Sequence, residues 1–259
     1  EQSDLMQAYF GRNGEAPIPI IAAATPADAF EAVYEAARIA LKYMTPVMFL
    51  SDGYIANGAE PWKIPRVEDL PEIPVNFHTD TENFLPYKRD EKTLSRPWAI
   101  PGTPGLEHRV GGLEKSHEKG NVEYDPDNHD FMCRLRAEKV ERVAQDIPPT
   151  ELLGEDSGDL LVLAWGSTYG AVVSGVRAAQ AKGLKVSHAH LRYLNPLPPD
   201  LETVMRRFKK VLIPEINLGQ LSFILRAKTL IDVKGFNQMK GQPFQVADIL
   251  EAIENEVAA

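Results

Sequence analysis

Residues 18–51 read as one strand–helix–strand unit, and a single unit of that kind cannot close a domain. An apolar strand carrying Ile18, Ile20 and Ile21 leads to Thr25-Pro26, where a capping hydroxyl and a proline at the first helical position mark a helix start. The spacing predicts a helix with Phe30, Val33, Tyr34, Ala37 and Leu41 on its buried face, then a buried strand over Pro46-Val-Met-Phe-Leu50. A parallel pair with one crossover helix needs further strands beside it and helices over both faces. The chain also starts at Glu1 rather than at a methionine, so the expectation is the back portion of a longer polypeptide, with part of its active site elsewhere.

A length of 259 residues suits one large or two modest domains. Hydrophobic content of 44% and charged content of 25% match a soluble globular protein, and no apolar run approaches membrane-spanning length, so no membrane partner is expected. Net charge is −9 without a long basic run, which argues against a nucleic-acid partner. Cys133 is the only cysteine. It can build no disulfide framework, and this chain alone lacks the thiolates for a cysteine-ligated zinc or an iron–sulfur cluster. Such usage suits a reducing, cytoplasmic compartment.

Three zones follow one another. Residues 1–65 hold the strand–helix–strand unit. Residues 66–155 are rich in proline, glycine and charge, with one amphipathic helix expected over about 128–144 and Phe131, Leu135, Val140 and Val143 as its apolar positions. Trp62, Phe77, Phe84, Leu85, Trp98 and Ile100 suggest that this stretch lies against a surface. Residues 156–259 alternate cleanly, with strands at Leu160–Trp165, Lys185–Leu191 and Lys210–Pro214 and helices between and after them, one short helix being capped by Asp200. That alternation predicts an α/β fold with a parallel, helix-covered sheet.

Several short patterns are candidates for chemistry. Gly166-Ser-Thr-Tyr-Gly170 opens a helix after a strand, where backbone N–H groups can cradle a phosphate. It lacks the third glycine of a dinucleotide fingerprint and the lysine of a P-loop, and small residues also simply allow a tight turn. His188 and His190, two apart on a strand, share a face, but no further metal ligand converges on them by sequence. Asp125-Pro-Asp-Asn-His-Asp130 fails as a calcium loop, with Arg136 where the closing glutamate belongs, and reads as a turn and helix cap. Glu107-His108-Arg109 reads more simply as a solvated loop than as a site. Arg12, set between glycines just ahead of a buried strand, can offer a planar fork to a carboxylate or can be an ordinary surface arginine.

Taken in order, Glu1-Gln-Ser-Asp-Leu5, Gly11-Arg-Asn-Gly-Glu15, Leu50-Ser-Asp-Gly-Tyr54, Gly105-Leu-Glu-His108, Asn128-His129 and Pro214-Glu-Ile-Asn-Leu-Gly-Gln220 resemble the C-terminal portion of an alpha subunit of the 2-oxoacid:acceptor oxidoreductase family, of the 2-oxoglutarate:ferredoxin type. The resemblance implies a thiamine-diphosphate enzyme that converts a 2-oxoacid and coenzyme A to acyl-CoA and CO2 while reducing ferredoxin, or the reverse. It implies that residues 1–65 end a pyrimidine-binding domain and that 156–259 form a transketolase C-terminal-like domain that packs subunits. Thiamine diphosphate with magnesium would sit at the interface with a beta subunit, the iron–sulfur cluster on that partner, and the assembly would be a dimer of alpha–beta units. The family's cofactor-activating glutamate would lie outside this sequence, so the isolated chain is expected to be inactive. Arg12 falls where the family places an arginine toward the substrate carboxylate, while Gln2, Ser3 and Asp4 match without individual roles. The rival expectations are a pyruvate or indolepyruvate enzyme, and a non-catalytic assembly module of the same fold.

Overall fold

The computed structural model describes residues 1–259. A short helix, α1 (Leu5–Phe10), leads into β1 (Ile20–Ala22), α2 (Asp28–Tyr43), β2 (Met48–Leu50) and α3 (Gly53–Asn57). β1 and β2 pair in parallel, Ile20 opposite Met48 and Ala22 opposite Leu50. Thr25 caps α2 as its sequence predicts: the Asp28 N–H donates to Thr25 Oγ1 at 3.2 Å, and the Asp28 carboxylate accepts the Ala24 N–H at 2.8 Å.

The buried face of α2 is not the predicted one. Ala32, Ala36, Ile39 and Tyr43 are buried, whereas Val33 is 49% exposed and Ala37 faces solvent. Small alanines let the helix lie close against its sheet. The bulkier residues serve a second layer instead. Phe30 packs on Trp62 with ring centroids 5.2 Å apart, the Tyr34 hydroxyl donates to Pro71 O, and Leu41 O accepts the Trp98 indole N–H at 2.9 Å.

That second layer is the irregular stretch up to residue 125, whose one regular element is a single 3-10 turn at Val67–Asp69. It crosses α2 as a strap and continues to α4 (Pro126–Arg142), where His117 N–H donates to Asn128 Oδ1 at 3.0 Å. Asp125 caps α4 by accepting the Asp127 and Asn128 N–H groups at 2.9 Å each. α4 buries Met132 and Val140, with Val143 just beyond its end, but not Phe131, which is 43% exposed and meets His117 edge-on.

The remaining chain supplies β3 (Gly158–Trp165), α5 (Tyr169–Ala181), β4 (Val186–Leu191), β5 (Tyr193–Asn195), α6 (Leu201–Met205), β6 (Phe208–Glu215), α7 (Gln220–Thr229), β7 (Val233–Asn237) and α8 (Val246–Ala258). Four of these strands form a wholly parallel sheet in the order β4-β3-β6-β7, as the alternation predicts. Successive residues of β3 feed opposite faces. Leu160, Val162 and Ala164 pack with α5 and α8, while Leu161, Leu163 and Trp165 pack with α6 and α7. Asp200 does not cap α6. Its carboxylate accepts the Thr150 N–H and hydroxyl at 3.0 and 2.9 Å, pinning the segment that enters β3.

β5 answers the shortage of strands in the first unit. It runs antiparallel to β1, giving a three-stranded sheet in the order β2-β1-β5. The same junction is apolar: Leu5, Ala8, Ile18, Ile20 and Ala22 belong to one core of 21 buried residues with Leu161, Leu163, Leu194, Ile213 and Leu221.

Candidate functional site

Three of the short motifs meet at the junction between the two sheets. Gln2 is buried there, with Nε2 donating to Trp165 O at 2.6 Å, Oε1 accepting the Ile216 N–H at 2.9 Å and its carbonyl accepting Asn217 Nδ2 at 2.9 Å. Below it, Glu215 is fully buried and its carboxylate accepts five donors: the Trp165 indole, Asn217 Nδ2, the Leu221 and Ser222 N–H groups and the Ser222 hydroxyl, at 2.8–3.2 Å. A buried carboxylate at the first turn of α7 is stabilised by the free N–H groups and the dipole there. The Pro214–Gln220 motif is therefore a fastening, with Gln2 as its bolt.

The Gly166–Gly170 turn belongs to the same joint rather than to a phosphate. Gly166 has φ +61°, and a Cβ on it would lie 2.6 Å from Gln2 Nε2 and 3.0 Å from Asp52 Oδ2. The Ser167 N–H donates to Asp52 Oδ2 at 2.8 Å, while Asp52 Oδ1 takes the Tyr54 and Ile55 N–H groups at the start of α3. The anion that the turn receives is thus the chain's own Asp52.

His188 and His190 share a face as predicted, with ring centroids 5.6 Å apart under Tyr169. His188 Nδ1 is 2.8 Å from Val162 O; His188 Nε2 and both His190 nitrogens are buried without a hydrogen-bond partner. Burial pushes both imidazoles down, to about 4 for His188 and about 3 for His190, where the charge of His188 adds to the effect. Both are neutral at pH 7; the backbone of His188 bridges to Leu153, and the His190 ring meets Tyr169 edge-on at 5.0 Å.

Arg12 lies on the wall of a cavity of about 530 Å³, with Tyr9, Cys133, Arg134, Asn195 and Lys228 among its other residues. Its guanidinium ties the loop together: Nη1 donates to Ala8 O at the end of α1, and Nε and Nη2 donate to Ala16 O. Three of its five N–H groups are committed in this way, which leaves one each on Nη1 and Nη2. Tyr9 donates to Asn195 Oδ1 at 2.7 Å, and Lys228 Nζ stands 5.4 Å from the Tyr9 ring. Burial raises the Tyr9 phenol above its usual value, against the pull of Lys228, so it stays protonated.

Glu107, His108 and Arg109 do not converge. Glu107 accepts the Gly105 N–H, His108 Nδ1 is 2.9 Å from Leu106 O, and Arg109 is exposed. A different cluster, invisible to spacing because it joins the strap to α4, brings Glu114, His129 and Cys133 ligand atoms within 4.8 Å of one another. Arg136 occupies the same space, with Nη2 3.0 Å from Cys133 Sγ and Nη1 3.2 Å from Glu114 Oε1. A guanidinium there supplies the positive charge that a metal would otherwise bring. Only the i, i+4 pair His129–Cys133 was open to a sequence reading.

The family model described as "Pyruvate flavodoxin/ferredoxin oxidoreductase, thiamine diP-bdg" matches residues 1–125. The chain is 51% identical over 251 residues to the 2-oxoglutarate oxidoreductase subunit KorA of Mycobacterium tuberculosis, covering 96% of this chain and 38% of that one. It is 26% identical over 260 residues to the 2-oxoglutarate synthase subunit KorA of Archaeoglobus fulgidus, covering 99% of this chain and 66% of that one. The structure of 2-oxoglutarate:ferredoxin oxidoreductase from Magnetococcus marinus, with 2-oxoglutarate, coenzyme A and succinyl-CoA bound, superposes with a TM-score of 0.91 at 33% identity, over 99% of this chain and 45% of that one. The chain thus spans about two fifths of the M. tuberculosis relative. The fold, the ordered motifs and these similarities agree: the chain belongs to the 2-oxoacid:ferredoxin oxidoreductase family and matches part of its alpha subunits.

Proposed function

We propose that the chain works within a thiamine-diphosphate-dependent oxidoreductase that converts 2-oxoglutarate and coenzyme A to succinyl-CoA and CO2 with reduction of ferredoxin, or runs the reverse. The observation that carries this reading is the superposition over 99% of the chain on a structure described with 2-oxoglutarate, coenzyme A and succinyl-CoA bound. Residues 1–65 act as the end of the pyrimidine-binding domain, 66–155 as the strap on the substrate side, and 156–259 as the subunit-packing domain. The assembly is cytoplasmic and pairs this subunit with a beta subunit that carries the iron–sulfur cluster.

Thiamine diphosphate supplies the electron sink for decarboxylation in such an enzyme. The two buried carboxylates of this chain do not fit a role toward it: Asp52 is spent on three N–H groups and Glu215 on five donors. The cofactor, with its magnesium, is accordingly held by residues beyond this set, at the beta-subunit interface.

Arg12 is our candidate for the substrate carboxylate. One N–H on each of its terminal nitrogens is uncommitted, and the other three hold the loop that aims it. Fixing the carboxylate fixes the keto carbon relative to the reacting group. The test uses the native complex, assayed for coenzyme-A-dependent viologen reduction with 2-oxoglutarate, pyruvate and indolepyruvate. We expect 2-oxoglutarate to be preferred, and Arg12→Lys to raise its KM about tenfold or more, as loss of a charge-assisted fork of about 1.5–3 kcal/mol implies. A preference for another 2-oxoacid reassigns the substrate. No turnover with any of them, in a complex that retains cofactor and cluster, makes the chain an assembly module. An unchanged KM in a folded Arg12→Lys variant leaves Arg12 with the loop alone.

A further inference from the structure

A cluster of positive charge lies where the strap meets α4, on residues that do not line the Arg12 cavity. Arg89 and Arg96 flank the ring of Tyr87, their guanidinium carbons 5.2 and 4.6 Å from its centroid. Neither arginine makes an ion pair or a side-chain hydrogen bond, and Arg89 Nε is buried with no partner. Lys139 reaches the same place from α4, donating to Met44 O at 3.1 Å, and Arg136 stands close by, partly neutralised by Glu114. Burial lowers Arg89 to about 10, with Arg96 and Arg136 adding to the effect. Burial also lowers Lys139 to about 8, with Arg89, Arg96 and Arg136 all repelling its charge.

A protein of net charge −9 has acids in plenty, yet none of them makes an ion pair with Arg89 or Arg96. Asp90, the nearest in sequence, is turned to its own loop, where Oδ1 accepts the Lys92 and Thr93 N–H groups and the Thr93 hydroxyl. Arg89 and Arg96 also line a cavity of about 850 Å³, whose wall includes Lys88, Thr93 and Ser95 as well as the carboxylates of Glu72, Asp80, Glu82 and Asp90. Half-buried guanidinium groups stacked on an aromatic ring are already stripped of part of their water, which suits them to a multiply charged oxyanion.

We propose that Arg89 and Arg96 form a binding site for a phosphate group, within electrostatic range of the Lys139 amine. A dianion matches two guanidinium groups that make no ion pair of their own, whereas a single carboxylate leaves one unpaired. The volume beside them leaves room for an organic phosphate as well as for the free ion.

Lys139 provides a reporter near the site. The intact protein, with its accompanying subunits, is pulse-labelled by an amine-acetylating reagent at pH 8 in chloride, in inorganic phosphate and in adenosine monophosphate at matched ionic strength, and labelled lysines are read by mass spectrometry. An anion beside Lys139 raises its pKa, and the first unit regained cuts the reactive amine about fivefold at pH 8. We expect saturable protection of Lys139 by phosphate, with exposed Lys240 unchanged. Protection at lower concentration by adenosine monophosphate than by phosphate assigns the site to an organic phosphate, and the reverse order to the free ion. Arg96→Met should abolish protection, and Arg96→Lys, which keeps the charge, should retain part of it. Equal labelling of Lys139 in all three solutions overturns the proposal. So does a Lys139 that is unreactive in chloride until the subunits are separated, which assigns the cluster to an acidic surface of another chain.

Discussion

At the residue scale, Gly166 carries no side chain because Gln2 and Asp52 fill the space beside it. Gly166→Ala adds a positive-φ cost of about 1 kcal/mol and disturbs buried hydrogen bonds worth about 1–3 kcal/mol. We expect a loss of about 2–4 kcal/mol in urea unfolding followed by tryptophan fluorescence. A loss below about 0.5 kcal/mol would show a joint loose enough to absorb a methyl group. The two histidines make a second prediction. Unfolded, they titrate near 6.5; folded, they resist protonation down to about 4 and about 3. Below pH 6.5 unfolding therefore takes up protons that the fold refuses, and stability falls as pH drops toward 4. The loss at pH 5 is about 2 kcal/mol per histidine, at about 1.4 kcal/mol per pH unit. Urea midpoints at pH 7 and pH 5 should lie closer together in His190→Gln than in the parent, and an equal spacing would mean that His190 protonates in place. Of the candidate residues, Arg12 stands out in the sequence because an arginine between glycines is odd in itself, and its role toward a carboxylate is our proposal. Glu114, His129, Cys133 and Arg136 were not, since the strap that unites them has no periodicity from which proximity can be read.

At the element scale, the parallel sheet and the helices around it were readable because β3 and β6 carry continuous apolar runs, and glycine and proline punctuate the alternation of strands and helices. What was missed is short or mixed. α1 has six residues, β5 has three, and β7 sets Lys234 and Gly235 inside its five. The α2 face was misread because size was taken as the sign of burial, while close packing to the sheet selects alanine and leaves the large side chains for the strap. Helix spacing shows the same effect in α5. A Cβ on Gly175 would lie 2.5 Å from Ile249 Cγ2 of α8, whereas one on Gly170 would meet nothing within 4 Å. Helix propensity favours alanine at both by about 1 kcal/mol, but overpacking costs about 1–3 kcal/mol. Gly175→Ala should therefore destabilise by about 1 kcal/mol, and Gly170→Ala should be neutral or slightly stabilising. Thermal melts of the two variants check the sign at each position, and equal shifts would refute the packing argument.

At the scale of the whole molecule, the first and last zones share one core and one polar joint, while the strap between them is held from outside. Amides of β1 should exchange with deuterium as slowly as those of β3, and those of residues 70–120 much faster. If β1 exchanged at the rate of the strap, the first zone would be opening by itself. The joint also changes what the parallel sheet is for. In open α/β sheets the crevice beyond the strand ends, beside a helix start, is where ligands dock. Here Gln2 and Asp52 sit in it. The first zone is in effect a tethered ligand of the last, held at an effective concentration that for short flexible linkers is already of millimolar order. Dilute carboxylates in solution compete poorly with a ligand that never diffuses away, so the joint stays shut while substrates come and go.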